Sequence, residues 1–306
     1  MSERYPVVQV RGVYGHLTVR DGLVLCFFVR RRYPEIAQAV WLALQTYLRA
    51  IPSGSLGWYV DQQGDMQLLD EQGWMYINEK ILNRPRNHAC HVELLQFDIG
   101  VGGYNFEYDG YQLDSQLLND EKAACAIAFS LPTEYLLDHG ADKVRALALE
   151  LSRDLPFSFG YASLAFVAPS GQWYSVLREL LPLLERYRGF DLYHLGTTSR
   201  VISTGARGAY WLTFLGEPLL SQLGGLEVLR RELAFPEVSF EPLDGERLLL
   251  TLGEWPSPMD IRERISRPHF RALAQLLEPY FPEEKIGLTS LLENRNMARW
   301  LRRFCL

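Results

Sequence analysis

The stretch FGYASLAFVA, residues 159–168, is apolar almost from end to end. A strand with one face in water alternates apolar and polar residues, so an unbroken run of this kind marks a strand covered on both faces. KAACAIAF, from Lys122, reads as a buried strand, and LVLCFFV, Leu23 to Val29, is the longest purely apolar run. All three fall far short of the roughly 20 apolar residues that cross a bilayer. The chain must therefore place helices or loops on both sides of a sheet.

The rest of the sequence supplies those layers. HLTVRDGLVLCFFVR reads as two short strands turning at Asp21-Gly22, a pair suited to a tight hairpin. A helix follows, with Pro34 in its first turn and Ile36, Val40, Leu44, Tyr47 and Leu48 at helical spacing until Pro52. Strands are expected around 57–60, 66–69, 75–78, 92–99 and 105–109. PTEYLLDHG reads as a short helix with Gly140 as a left-handed cap, and the next helix opens near Asp142 with Val144, Leu147, Ala148 and Leu151 as its apolar stripe.

A stronger amphipathic helix is expected over 172–187, where Trp173, Val176, Leu177, Leu180, Leu181 and Leu184 form one face. Short helices at EPLLSQLGG and LEVLRRELA, strands near 238–240 and 248–252 and a helix over 269–280 complete the reading. The expected class is α+β: a mixed, largely antiparallel sheet flanked by amphipathic helices. It forms one unit over residues 1–306, with two lobes, roughly 1–120 and 121–306.

Charge and cysteine usage exclude several function classes. The formal net charge is −6, the wrong sign for a chain whose main partner is nucleic acid. Cys26, Cys90, Cys125 and Cys305 are widely spaced and contain no C-x-x-C pair, so neither a disulfide framework nor a zinc ribbon is expected. The opening MSERYPVVQVRG carries charges at Glu3, Arg4 and Arg11 and lacks the apolar block of a secretory leader; a cytoplasmic location is expected, without a membrane partner.

Few residues carry recognisable chemistry. RVISTGARGAYWLTFLG, residues 200–216, has Gly205 and Gly208 before an apolar run, but no lysine or hydroxyl follows where a phosphate loop needs them. It reads as a turn feeding a buried strand. HACH offers His88, Cys90 and His91, yet a strand sends His91 to the face opposite His88 and Cys90, and no second cluster completes a metal site. No G-x-S-x-G elbow is present.

Other polar groups have ordinary structural readings. Asp138-His139 reads as a helix end, and Arg30-Arg31-Arg32 as a solvated strand edge. The triplets Asp120-Glu121-Lys122 and Glu283-Glu284-Lys285 keep a metal-dependent nuclease or phosphate-handling enzyme open as the alternative function. No catalytic residue, metal or cofactor is assigned.

The most distinctive feature is a binding feature. From Val92 to Glu121 there is no lysine or arginine, while Glu93, Asp98, Glu107, Asp109, Asp114, Asp120 and Glu121 are acidic. Tyr104, Phe106, Tyr108 and Tyr111 lie among them. If NFEYD is a strand, Phe106 and Tyr108 share one face and Glu107 and Asp109 the other, so a twisted edge or loop offers anchors and charge to a protein partner, against the plainer reading of a half-buried strand with solvated acids. The expected contact set is Asp98, Tyr104, Phe106, Glu107, Tyr108, Asp109, Tyr111 and Asp114.

LPTEYLLDHGADKVRALALELSRDLPFSFGYASLAF, residues 131–166, resembles the type VI secretion immunity family. GARGAYWLTFLGEPLLSQLGG (205–225) is similar to that family's tryptophan-containing strand and following Leu-Gly-Gly, and TLGEWPSPMDI (251–261) to its late strand and proline turn. The resemblance runs from about residue 15 to 281 and is nearest to immunity partners of nuclease effectors. It implies an antitoxin that binds a secreted effector and protects the producing cell, with no catalytic residues. The implied partner is a protein effector, basic because it handles a polyanion, with a homodimer as a further expected assembly.

Overall fold

The computed structural model describes residues 5–83, 89–113, 122–168, 172–282 and 299–305. Its organising element is β2, Leu17–Val29, which accepts strand partners on both sides. The first residues of β2 also pair with β1, Gln9–Arg11. β7, Cys125–Pro132, runs antiparallel along one side of β2, and β8, Phe159–Val167, along the other. These three strands carry the apolar runs LVLCFFV, KAACAIAF and FGYASLAFVA and lie side by side at the centre of the sheet.

The sheet grows outward from this trio. Beyond β7 come β6 (Asn105–Gly110), β5 (Cys90–Leu95), β3 (Trp58–Val60) and β4 (Met66–Leu68). Beyond β8 come β10 (Leu212–Leu215), β12 (Arg247–Leu252) and β11 (Val238–Leu243), while the short β9, Phe190–Asp191, pairs parallel to β8. All other pairings are antiparallel. The strands that precede and follow position 120 in sequence, β6 and β7, are paired neighbours in this sheet.

Strand alternation divides the core in two. Leu23, Leu25 and Phe27 join Ile127, Phe129 and Phe106 on one face, under α1 (Tyr33–Ala50), α2 (Glu71–Leu82) and α4 (Ala141–Ser152). Ile36, Val40, Leu44 and Tyr47 are the buried stripe of α1, and the Tyr47 hydroxyl donates to the Ser130 carbonyl. Val24, Cys26 and Phe28 join Ala126, Ala128 and Tyr161 on the other face. Leu195 from α6 (Leu195–Ser199) and Phe270, Leu273 and Leu277 from α9 (Pro268–Leu277) cover that side.

Four local expectations change. Asp21-Gly22 is not a hairpin: β2 runs straight through it. The Asp21 carboxylate accepts from the Val8 amide at 2.7 Å, and a Cβ on Gly22 would lie 2.6 Å from the Leu131 carbonyl oxygen, so glycine here permits close strand packing instead of a turn. Residues 75–78 belong to α2, because Asp70 caps the helix through the Gly73 amide and Ile77 and Ile81 are buried at helical spacing. The helix expected over 172–187 begins as a 3₁₀ turn, Gln172–Val176, and becomes α5 at Leu177–Arg186. Gly140, between α3 (Thr133–His139) and α4, has φ 84° but ψ 162°, so it takes a positive-φ corner outside the left-handed helical region.

Candidate interaction surface

The register of β5 with β6 decides what the acid-rich segment presents. His91 faces Asp109 and Glu93 faces Glu107, while Val92 faces Tyr108 and Leu94 faces Phe106. The first four side chains share one face of the sheet and the second four the other. In place of the twisted edge or loop expected, β6 is an internal strand between β5 and β7. Phe106 and Tyr108 are wholly buried, with Phe106 packed 5.4 Å from the Phe129 ring, so they are core residues and are not presented as anchors.

On the opposite face stands a row of three buried carboxyl groups, Glu93, Glu107 and Asp109. Like charges directly across a strand pair repel. The row is tolerated because neighbours donate to it: the Tyr193 hydroxyl to Glu107 Oε1 at 3.1 Å, and His91 Nδ1 to Asp109 Oδ1 at 2.7 Å. The Tyr193 hydroxyl also lies 3.0 Å from Ser130 Oγ. Burial, then the proximity of Glu93 and Asp109, pushes the Glu107 carboxyl well above the ordinary glutamate range. The hydrogen bond to Asp109 raises His91 above the usual histidine value, against the opposing effect of burial.

Exposure returns at the ends of the two strands. Tyr111 is half-buried, its hydroxyl 3.0 Å from Ser199 Oγ, and Tyr104 is half-buried at the opposite end. Between β5 and β6, Asp98 is exposed, flanked by the exposed Phe97 and Ile99. This loop is anchored at its base, because Gln96 Oε1 accepts the Gly103 amide at 2.8 Å and the Val101 amide bonds the Leu17 carbonyl at 2.8 Å. Asp114 lies outside the described residues. The expected contact set thus divides into an exposed part (Asp98, with Tyr104 and Tyr111 half-covered) and a buried part (Phe106, Glu107, Tyr108 and Asp109).

The remaining chemical candidates take structural places. Arg207, from the glycine-bracketed stretch, is almost completely buried, pairs with Asp191 at 2.5 Å and donates to the Leu192 carbonyl. The hydroxyls of Tyr161 and Tyr210 also donate to Asp191. Nothing in the sequence marks this network beyond an arginine among apolar neighbours. Cys90 is buried with Sγ 3.2 Å from the Lys80 carbonyl, and His139 packs on Tyr135 in the last turn of α3.

Arg30 donates to the Ala123 carbonyl, and Arg32 pairs with Glu35 to close the start of α1. Among the described residues no group of three or more His, Cys, Asp or Glu could hold a metal ion. His88, Asp120, Glu121, Glu283, Glu284 and Lys285 lie outside them. No helix among the described residues is long and apolar enough to cross a membrane.

Comparison with known proteins places this architecture. No curated protein matches the chain. Among solved structures it is similar to a T6SS protein of Pseudomonas aeruginosa, with a TM-score of 0.80 at 15% identity over 99% of this chain and 91% of that one. At that identity the likeness establishes a shared fold. The model of the TsiV family, described as type VI immunity for VRR-NUC, matches residues 39–304. With the match covering most of the sequence, the chain belongs to the TsiV family of type VI immunity proteins.

Proposed function

We propose that this protein confers immunity to a VRR-NUC effector of a type VI secretion system by binding it stoichiometrically, without catalysis. The observation that carries the reading is the family match across residues 39–304. Its fold is also that of a T6SS protein, and the described residues form a packed sheet protein whose polar clusters are internally hydrogen-bonded.

The contact runs through the acid-rich segment, led by Asp98 in solvent and by Tyr104 and Tyr111 at the strand ends. Glu107 and Asp109 lie beneath and set the shape of the face, and Phe106 and Tyr108 hold β6 in the core. A nuclease must present positive potential to a polyanion, so an acidic partner is steered toward it and the association weakens with salt. Location in the cytoplasm, where a nuclease would meet its substrate, belongs to the same reading.

The experiment is a titration of the purified protein into its cognate effector, with residual cleavage and complex mass measured at two salt concentrations. Cleavage lost at a fixed molar ratio, with a complex of matching composition, supports the reading. The mass also reports whether the immunity protein enters as a monomer or a homodimer. Metal-dependent turnover by this chain alone, without a complex, would overturn it in favour of the enzyme alternative.

A further inference from the structure

The largest exposed apolar side chains near the acid-rich segment come from two loops that touch. At the turn between β1 and β2, Val13 is 97% exposed and Tyr14 92%. Between β5 and β6, Phe97 is 49% exposed and Ile99 69%. The second loop is tied to the first, because the Val101 amide bonds the Leu17 carbonyl and Gly100, at φ 82°, backs onto Leu17 and His16. A Cβ on Gly100 would meet the Leu17 carbonyl oxygen at 2.8 Å.

The first loop is also internally held. The Gly12 amide bonds the His16 carbonyl, Arg11 donates to the Gly15 carbonyl at 3.0 Å, and the Tyr14 and His16 rings stack at 6.5 Å. Water-facing valine, tyrosine, phenylalanine and isoleucine on two adjacent loops form a ridge whose apolar surface stays largely in water in the free protein, on backbone that is already held in place.

We propose that this ridge, Val13 and Tyr14 with Phe97 and Ile99, is the docking site for the cognate VRR-NUC effector. The proposal rests on the immunity reading. Charge complementarity selects the occupant: Asp98 stands between the two apolar residues of its loop, within a run of 30 residues from Val92 that holds no lysine or arginine. Arg11, at the end of β1, is engaged with its own turn through the Gly15 carbonyl. The matching partner surface has an apolar centre and a basic rim, which a nuclease provides beside the track for its polyanionic substrate. Tyr14 and Phe97 are the anchors and Asp98 the steering charge.

The test titrates the purified effector calorimetrically against the full-length protein and two double variants, Val13→Ser with Tyr14→Ser and Phe97→Ser with Ile99→Ser. Leu68→Ser with Met75→Ser, exposed apolar residues on β4 and α2, is the control. Each ridge variant is expected to weaken binding by about tenfold or more, with an unchanged thermal midpoint, and the control to bind as the parent does. If the parent binds and both ridge variants stay within about twofold of it, the ridge is not the site while the immunity reading stands. A parent that does not bind overturns both. A parent dimer that the ridge variants dissociate, with effector affinity unchanged, assigns the ridge to a second copy of the chain and overturns the proposal.

Discussion

At the scale of single residues, two buried charged sites set testable energetics. The Glu107 carboxyl is raised by burial and by Glu93 and Asp109. A folded-state value above the unfolded one means its contribution to stability is complete below the unfolded range and is lost as pH rises through the folded value. Glu107→Gln, which keeps an acceptor for the Tyr193 hydroxyl, should therefore gain in thermal midpoint relative to the parent as pH climbs from about 4.5, with the two converging below it. A gap that stays constant with pH would contradict this.

Arg207 and Asp191 form the other site. Arg207→Met removes the paired guanidinium from a buried carboxylate that keeps the two tyrosine hydroxyls and should cost about 3–5 kcal/mol in urea unfolding. Adding Asp191→Leu should restore much of the loss, because the buried charge then goes with its partner. Sequence reading finds the acids of β6 but gives Arg207 no role. An arginine between glycines looks the same whether it meets solvent or a buried aspartate 16 positions earlier.

At the scale of elements, apolar pattern and capping chemistry locate most strands and helices, and the misses share a cause. Both Asp21-Gly22 and residues 75–78 are short stretches whose local preference is ambiguous, so long-range contacts decide them. In β2 the glycine admits the Leu131 backbone. Gly22→Ala would push β7 away from the central strand and is expected to destabilise by about 1–3 kcal/mol, read from the denaturant midpoint. In α2, the Asp70 cap and buried Ile77 and Ile81 prevail over a run that resembles a strand. The candidate surface was legible at this scale only in composition. Absence of basic residues marks the segment, but whether β6 is an edge depends on β5 and β7 pairing to it.

At the scale of the whole molecule, the sheet is held from its middle outward. β2 hydrogen-bonds β7 and β8 along most of its length, both faces are covered, and the three strands are buried almost throughout. Amide exchange should be slowest in β2, β7 and β8, reaching the global unfolding free energy there, and faster in β4 and β11 at the two margins. Fast exchange in β2 with protection at β11 would contradict a central scaffold. The same organisation leaves the turns beyond β1 and β5 free to carry apolar side chains into solvent, since the core is complete without them.

The sequence by itself determined the fold class, the buried runs that become β7 and β8, most helix positions and the family resemblance. These follow from apolar runs, helical periodicity and residue patterns along the chain, which are local properties. Only the tertiary structure decided which strand lies next to which, that Phe106 and Tyr108 face inward, that Arg207 finds Asp191, and that two distant turns meet at Leu17 and Gly100. Each of these depends on contacts between residues far apart in the chain, and such contacts exist only once the sheet has closed its register.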